Sequence, residues 1–268
     1  MRKPIQHMAK DVYEYVQSLW YRVFYVALYG SQNYGIDTPS SDFDWKAIIV
    51  PSLDELISQS KPTSKVYEYQ WGQIEVKDIR NYIESAVKVN VNFIELLNTE
   101  YYYSSDMRNA LKLRWFFNQL LAEQGIIYLR ACHWMMMQKV HALRHEYPSK
   151  REVLDKFGYD PKQLCHIVRL KLLMKRYVNN NYSFYHEWIE KELLMELKQQ
   201  PHSHEYVDAI VENNIHDAQK IIDNYTIEPT FNAKKSLIEF SRDVIYQYIY
   251  AFITNDFNNN YSIRWHKN

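Results

Sequence analysis

Val23-Phe24-Tyr25-Val26-Ala27-Leu28-Tyr29-Gly30-Ser31-Gln32-Asn33-Tyr34-Gly35 leads, across a polar loop containing Pro39, into Ser41-Asp42-Phe43-Asp44-Trp45-Lys46-Ala47-Ile48-Ile49-Val50. Residues 23–29 are a continuous β-prone apolar run, the pattern of a buried strand, and the run stops at Gly30-Ser31. A second strand follows from Asp42 to Val50, closed by Pro51. Side chains alternate faces along a strand, so Asp42 and Asp44 point the same way, roughly 6–7 Å apart. Two such carboxylates repel each other unless a cation lies nearby or one of them takes up a proton. The Gly30-Ser31 turn lacks bulk, so its backbone N–H groups can approach a phosphate, with the Ser31 hydroxyl as a further donor. A helix beginning near Ser31 would favour an anion there. Together these features suit a divalent ion carrying a triphosphate.

Working outward, Met8, Val12, Val16 and Leu19 sit at helical spacing and predict a helix over 8–22. A short helix is expected over 53–59, then strands at 66–70 and 73–77 joined through Trp71-Gly72 as a hairpin. Helical periodicity takes over at 78–98 and again from about residue 105. Breaks fall at Tyr147-Pro148, Gly158 to Pro161, Pro201 and Pro229, and the runs Asn179-Asn180-Asn181 and Asn258-Asn259-Asn260 read as loops. Strands therefore cluster in the first third and helices in the rest. This predicts an α+β fold: a small mixed sheet with flanking helices over residues 1–100, followed by an all-helical region over 101–268.

The 268-residue chain is long enough to bury a full core, and 47% hydrophobic with 24% charged residues describes a globular protein. Only 5 glycines occur, and two of them, Gly30 and Gly35, fall within this one turn. A formal net charge of zero argues against a long non-specific nucleic-acid footprint, though not against a local patch. Cys132 and Cys165 fit a reducing interior without disulfides. No apolar run follows Met1-Arg2-Lys3-Pro4, and the apolar stretches fall far short of the roughly 20 residues of a membrane span. A cytoplasmic protein without membrane contact is expected.

A third carboxylate beside the pair would have to come from a neighbouring strand. Glu75, between Ile74 and Val76, is the candidate; it would bind a second ion and accept the proton of an attacking hydroxyl. Asp78 competes but reads as the N-cap of the following helix. Farther on, Lys162, His166 and Arg169 fall on one helix face, where they can hold phosphates and stabilise a leaving group. Segment 139–176 carries ten Lys/Arg against four Asp/Glu and interleaves Tyr147, Phe157, Tyr159 and Tyr177, a composition suited to stacked, single-stranded RNA. Acidic helices such as 187–196 packing nearby would offset that charge. His141 and His145 lack the ligands to complete a zinc site, His202-Ser203-His204 reads as a loop, and Trp134 to Met137 reads as helix core.

Strand, Gly-Ser, Asp-x-Asp and a later acidic strand residue resemble the nucleotidyltransferase superfamily that includes DNA polymerase β. Within it, Gly30-Ser31-x-x-Tyr34-Gly35 and Ser41-Asp42-x-Asp44 resemble the RlaP-type nucleotidyltransferases associated with RNA repair. So do Asn90-Val91-Asn92-Phe93-Ile94-Glu95-Leu96-Leu97 and the stretch from Tyr159-Asp160 through His166 to Arg169-Leu170. The resemblance implies transfer of a nucleoside monophosphate from an NTP to an acceptor hydroxyl, with Mg²⁺ or Mn²⁺ and release of pyrophosphate. It implies Asp42, Asp44 and Glu75 as catalytic metal ligands, and Gly30, Ser31, Tyr34, Ser41, Lys162, His166 and Arg169 around the nucleotide. The family usually carries an aspartate where Glu75 stands. RNA leads as acceptor, with a protein hydroxyl or a small molecule as alternatives; a site short of its third ligand would bind nucleotide without turnover, and a vestigial head would leave a helical interaction protein.

Overall fold

The computed structural model describes residues 5–39, 41–70, 72–180 and 190–264. In chain order, α1 (Ile5–Ser18) precedes β1 (Arg22–Tyr29), β2 (Phe43–Val50), α2 (Leu53–Ile57), β3 (Ser64–Tyr69) and β4 (Gly72–Asp78). Then come α3 (Ile79–Val87), α4 (Val91–Asn98) and a two-residue β5 (Tyr102–Tyr103). The helices α5 (Met107–Glu123), α6 (Gly125–Ala142), α7 (Arg151–Phe157), α8 (Pro161–Asn179), α9 (Lys191–Gln199), α10 (His204–Asp223) and α11 (Asn232–Arg264) complete the chain. The expected α+β architecture is present: one mixed sheet near the N-terminus, then helices.

Strands run in the order β3-β4-β2-β1-β5. β1 pairs antiparallel with β2 and β5, β3 antiparallel with β4, and β2 parallel with β4. Alternation along β2 decides the site. Phe43, Trp45, Ala47 and Ile49 join Val12 and Val16 of α1 in one buried cluster on one face of the sheet. Ile48 and Val50 turn the other way, into a larger cluster with Phe117, Leu164 and Leu173. Asp44 and Lys46, in phase with Ile48, therefore face the helices. That larger cluster draws buried side chains from both sides of residue 100, Phe24 and Ile94 among them, and continues to Phe240 and Val244 of α11.

Several expected boundaries move. α1 stops at Ser18 because Trp20 takes a left-handed conformation (φ 67°), which turns the chain into β1. The helical pattern over 78–98 is two helices, broken at Val89, left-handed (φ 56°) and fully buried. β5 is too short to leave a sequence pattern. Asn258-Asn259-Asn260 lies within α11 rather than a loop. Asn180 caps α8, whereas Asn181, Trp71 of the expected hairpin, and residues 187–189 of the acidic stretch lie outside the described residues.

Candidate active site

Between the helix-facing side of the sheet and α8 lies a cavity of about 410 Å³. Gly30, Ser31, Tyr34, Ser41, Asp42 and Asp44 line it from the sheet side; Lys162, His166 and Arg169 line it from α8. Nine of the ten residues predicted from the sequence thus share one cavity. Glu75 is not among its lining residues.

Gly30 has φ +82°, and a Cβ built there would come 3.1 Å from Asp44 Oδ2, so the turn needs glycine on both counts. The segment after it, Ser31–Tyr34, is a four-residue 3₁₀ turn ended by left-handed Gly35. It is too short to supply the helix N-terminus anticipated for an anion. Ser41 Oγ accepts the Thr38 backbone N–H at 2.8 Å, and Ser41 N–H donates to Thr38 O at 2.9 Å. This closes the loop around Pro39 and delivers Asp42 to the start of β2.

Asp42 is exposed at the mouth and Asp44 is half-buried. Burial pushes the Asp44 carboxyl above its usual range, the Lys162 charge pulls it back, and Asp42 pushes it further up. Tyr29, on the same wall, is raised to about 12, chiefly by burial and then by Asp44 and Glu75. A half-buried carboxylate pushed up by its neighbour is the environment a cation relieves, and hard carboxylate oxygens suit Mg²⁺ or Mn²⁺. Asp42 and Asp44 therefore fit one divalent ion.

Glu75 is placed differently. In the parallel β2–β4 register it lies opposite Lys46. Its Oε2 is 3.0 Å from Lys46 Nζ and its Oε1 is 2.6 Å from Lys77 Nζ, so each carboxylate oxygen faces an ammonium. Both ammoniums also rest on the Phe93 ring, at 4.8 and 4.7 Å from its centroid. Burial works to raise the Glu75 carboxyl, but the two lysines outweigh it and hold it below the usual range. Among the described residues no three His, Cys, Asp or Glu side chains come together as a metal-holding group. The arrangement does not fit Glu75 as a ligand of a second ion. Asp78, completely buried, caps α3 as expected, accepting the Arg80 backbone N–H and binding its guanidinium.

On the opposite wall, α8 starts at Pro161 with Asp160 as N-cap, accepting the Lys162 backbone N–H. Lys162 is exposed and makes no ion pair among the described residues. Arg169, only 4% exposed, donates from Nη1 to Glu95 Oε1 at 2.6 Å and lies 4.2 Å from the Tyr34 ring centroid. Its charge is already committed, so it orders the cavity wall. His166 Nδ1 stands 3.5 Å from Arg169 Nη2; because a guanidinium only donates, that nitrogen accepts. Burial, and then Arg169, Lys139, Lys162 and Lys198, hold His166 well below its usual pKa, so it is neutral at neutral pH.

Lys198, which the sequence reading missed, reaches the cavity from α9 and donates to the Ile36 carbonyl at 2.7 Å. Only its position 36 residues after Lys162 on a separate helix carries it there, and no local pattern marks it. Glu95 was visible only as part of the Glu-Leu-Leu stretch.

Part of the charge on 139–176 is offset by acids of α10 and by Asp160, while residues 187–189 of the stretch anticipated lie outside the described residues. Asp208 and Asp217 of α10 pair with Arg144 (2.8 Å) and Lys171 (3.8 Å), and Lys150 pairs with Asp160 (3.2 Å). Tyr159 and Tyr177 are buried in the core and Phe157 packs against it, leaving Tyr147 as the exposed ring of the four. A second cavity, about 340 Å³, lies between α8 and α10 and holds none of the predicted residues. No described helix is long and apolar enough to cross a membrane.

The fold and the cavity define the class as an α+β protein with a carboxylate-lined pocket at a sheet–helix cleft. Residues 5–225 match the RNA repair pathway DNA polymerase beta family, RlaP, and the chain belongs to that family. Membership indicates a nucleotidyltransferase-type function. Among solved structures the chain is similar to a nucleotidyltransferase-like protein from Exiguobacterium sibiricum 255-15, with a TM-score of 0.31 and 10% identity. That likeness covers 82% of this chain and 75% of the other. Comparison with curated proteins finds no match.

Proposed function

We propose that the chain transfers a nucleoside monophosphate from an NTP to an acceptor hydroxyl, releasing pyrophosphate, and that the acceptor is RNA. The observation that carries this reading is the facing of Asp42 and Asp44 by Lys162, His166 and Lys198 across one cavity. Asp42 and Asp44 would hold a Mg²⁺ or Mn²⁺ ion, which when bound supplies positive charge to the triphosphate. Gly30 and Ser31 admit the phosphates closely, Lys162 and Lys198 neutralise the departing pyrophosphate, and His166 presents an uncharged ring that gains a proton readily once an anion is present. The Glu95–Arg169 pair fixes the wall from which these groups project. The acceptor oxygen gives its proton to solvent and forms its bond to the α-phosphorus as the α–β bridge breaks, the bridging oxygen leaving with pyrophosphate. The family's association with RNA repair and the basic segment 139–176 support RNA.

A second reading draws on Glu75. With both its oxygens held by lysines and Glu95 paired with Arg169, the cavity lining offers no third free carboxylate among the described residues, which favours nucleotide binding without transfer. Label transfer from each α-³²P-NTP with Mg²⁺ into total RNA and total protein, beside Asp44→Ala, separates the two. Label in RNA that disappears in the variant is expected. Label in protein reassigns the acceptor, and bound NTP without label supports the second reading.

A further inference from the structure

We propose that the outward face of α6, with the turn that follows it, is a stacking track for the single-stranded end of an acceptor RNA. The inference rests on the RNA reading above and gives it a location. The Trp134–Met137 run is not simply core: Met136 is fully buried, but Trp134 is 64% exposed and Met137 39%. Helical spacing explains the split. Cys132, Met136 and Leu143 face inward, whereas Trp134, Met137 and His141 lie three to four residues apart on the opposite side.

The exposed rings continue past the helix end. The His141 and His145 rings stack with centroids 5.5 Å apart and planes 28° from parallel, and the Tyr147 ring meets His145 at 4.4 Å. Tyr147 is itself 48% exposed. From Trp134 to His141 the row rises about 10 Å along the helix, enough for successive bases to be engaged.

Charge favours a polyanion over an apolar protein partner. Residues 125–147 contain Arg130, Lys139, Arg144 and three histidines against a single acid, Glu146. Arg130 is exposed one turn before Trp134 and makes no ion pair among the described residues. Gln138 and Arg144, the latter paired with Asp208, lie between the rings, which breaks the face as an apolar docking patch.

The turn that follows the track is anchored to α8. Leu143 O accepts the Asp160 backbone N–H at 2.8 Å, and Lys150 pairs with the Asp160 carboxylate. Two residues on, Lys162 enters the nucleotide cavity. The turn from Leu143 to Lys150 is thus tied to the N-terminus of α8, the helix that carries Lys162.

The test is fluorescence anisotropy of a 5′-fluorescein oligouridylate with the full chain, comparing wild type with Trp134→Ala, Tyr147→Ala and the double variant. Loss of about tenfold in affinity per ring removed is expected, with NTP affinity and melting temperature unchanged. Equal affinity in wild type and double variant overturns the track. Label transfer is measured on the same preparations. Transfer into RNA or protein without ring-dependent RNA binding sinks the track and leaves the enzyme reading; ring-dependent binding without transfer does the reverse.

Discussion

Arg169 of α8 and Glu95 of α4, 74 positions apart, meet at 2.6 Å with side chains only 5% and 6% exposed. This single contact joins the Glu-Leu-Leu stretch to the His-x-x-Arg helix. It also places Tyr34, from the turn after β1, against the guanidinium. Three separate motifs are therefore tied at one buried point behind the cavity. Removing one partner leaves an uncompensated buried charge, which costs about 3–5 kcal/mol. Glu95→Gln and Arg169→Met should each lower stability by that order in denaturant unfolding. The double replacement should cost clearly less than the sum, since neither charge is then stranded. Additive losses would show that the pair does not act as a unit.

Glu75 carries the most discriminating substitution. Glu75→Gln leaves Lys46 buried without its counter-charge and frees Lys77. The expected result is a loss of stability with NTP affinity within a few-fold of wild type. The Glu75 carboxyl is held below its usual range, so its contribution is present above the unfolded pKa and is lost as pH falls through the folded one. The melting-temperature gap between wild type and variant should therefore be full at neutral pH and close in acid. A stable variant with divalent-ion affinity reduced by more than about 100-fold would instead restore Glu75 as a ligand.

What the sequence revealed depended on the range of the interaction. Period-two alternation and a small-residue turn are local, so the facing of Asp42 and Asp44 and the need for Gly30 could be read directly. Lys162, His166 and Arg169 share a face by helical spacing and do line the cavity. Which of them is spoken for could not be read, because Glu95 comes from another helix. Lys46 stands two residues after Asp44, yet its hold on Glu75 follows from the parallel register of β2 and β4, which no local pattern encodes. On α6 apolar residues occur on every side, so periodicity could not tell that Met136 turns inward and Trp134 outward. β5 was missed because two residues carry no alternation.

Asp44→Asn should separate activity from stability. The Asp44 carboxyl is raised in the folded state, so its ionised form opposes folding at neutral pH and this penalty fades as pH falls through the folded pKa. Replacing it with a neutral amide should leave the melting temperature unchanged or higher at pH 7. Transfer should fall by more than about 100-fold, since even outer-shell changes at metal sites cost 10–100-fold. A variant that unfolds more easily at neutral pH would contradict the strain assigned to the carboxylate pair.

His166 should couple nucleotide binding to proton uptake. Around it stand Arg169 on its own helix, Lys162 one turn earlier, Lys139 from α6 and Lys198 from α9, and with burial they keep the ring neutral. A depressed histidine binds its proton in the unfolded chain but not in the folded one, so wild type should lose stability as pH drops below about 6.5. A triphosphate in the cavity reverses the balance: its charge offsets the four cations and raises the His166 pKa. Calorimetric titration with NTP near pH 6.5, in buffers of differing ionisation heat, should show net proton uptake. His166→Gln should remove that uptake while retaining the cations that attract the phosphates. Uptake that persists unchanged in the variant would assign the proton to another group and remove His166 from the phosphate side of the cavity.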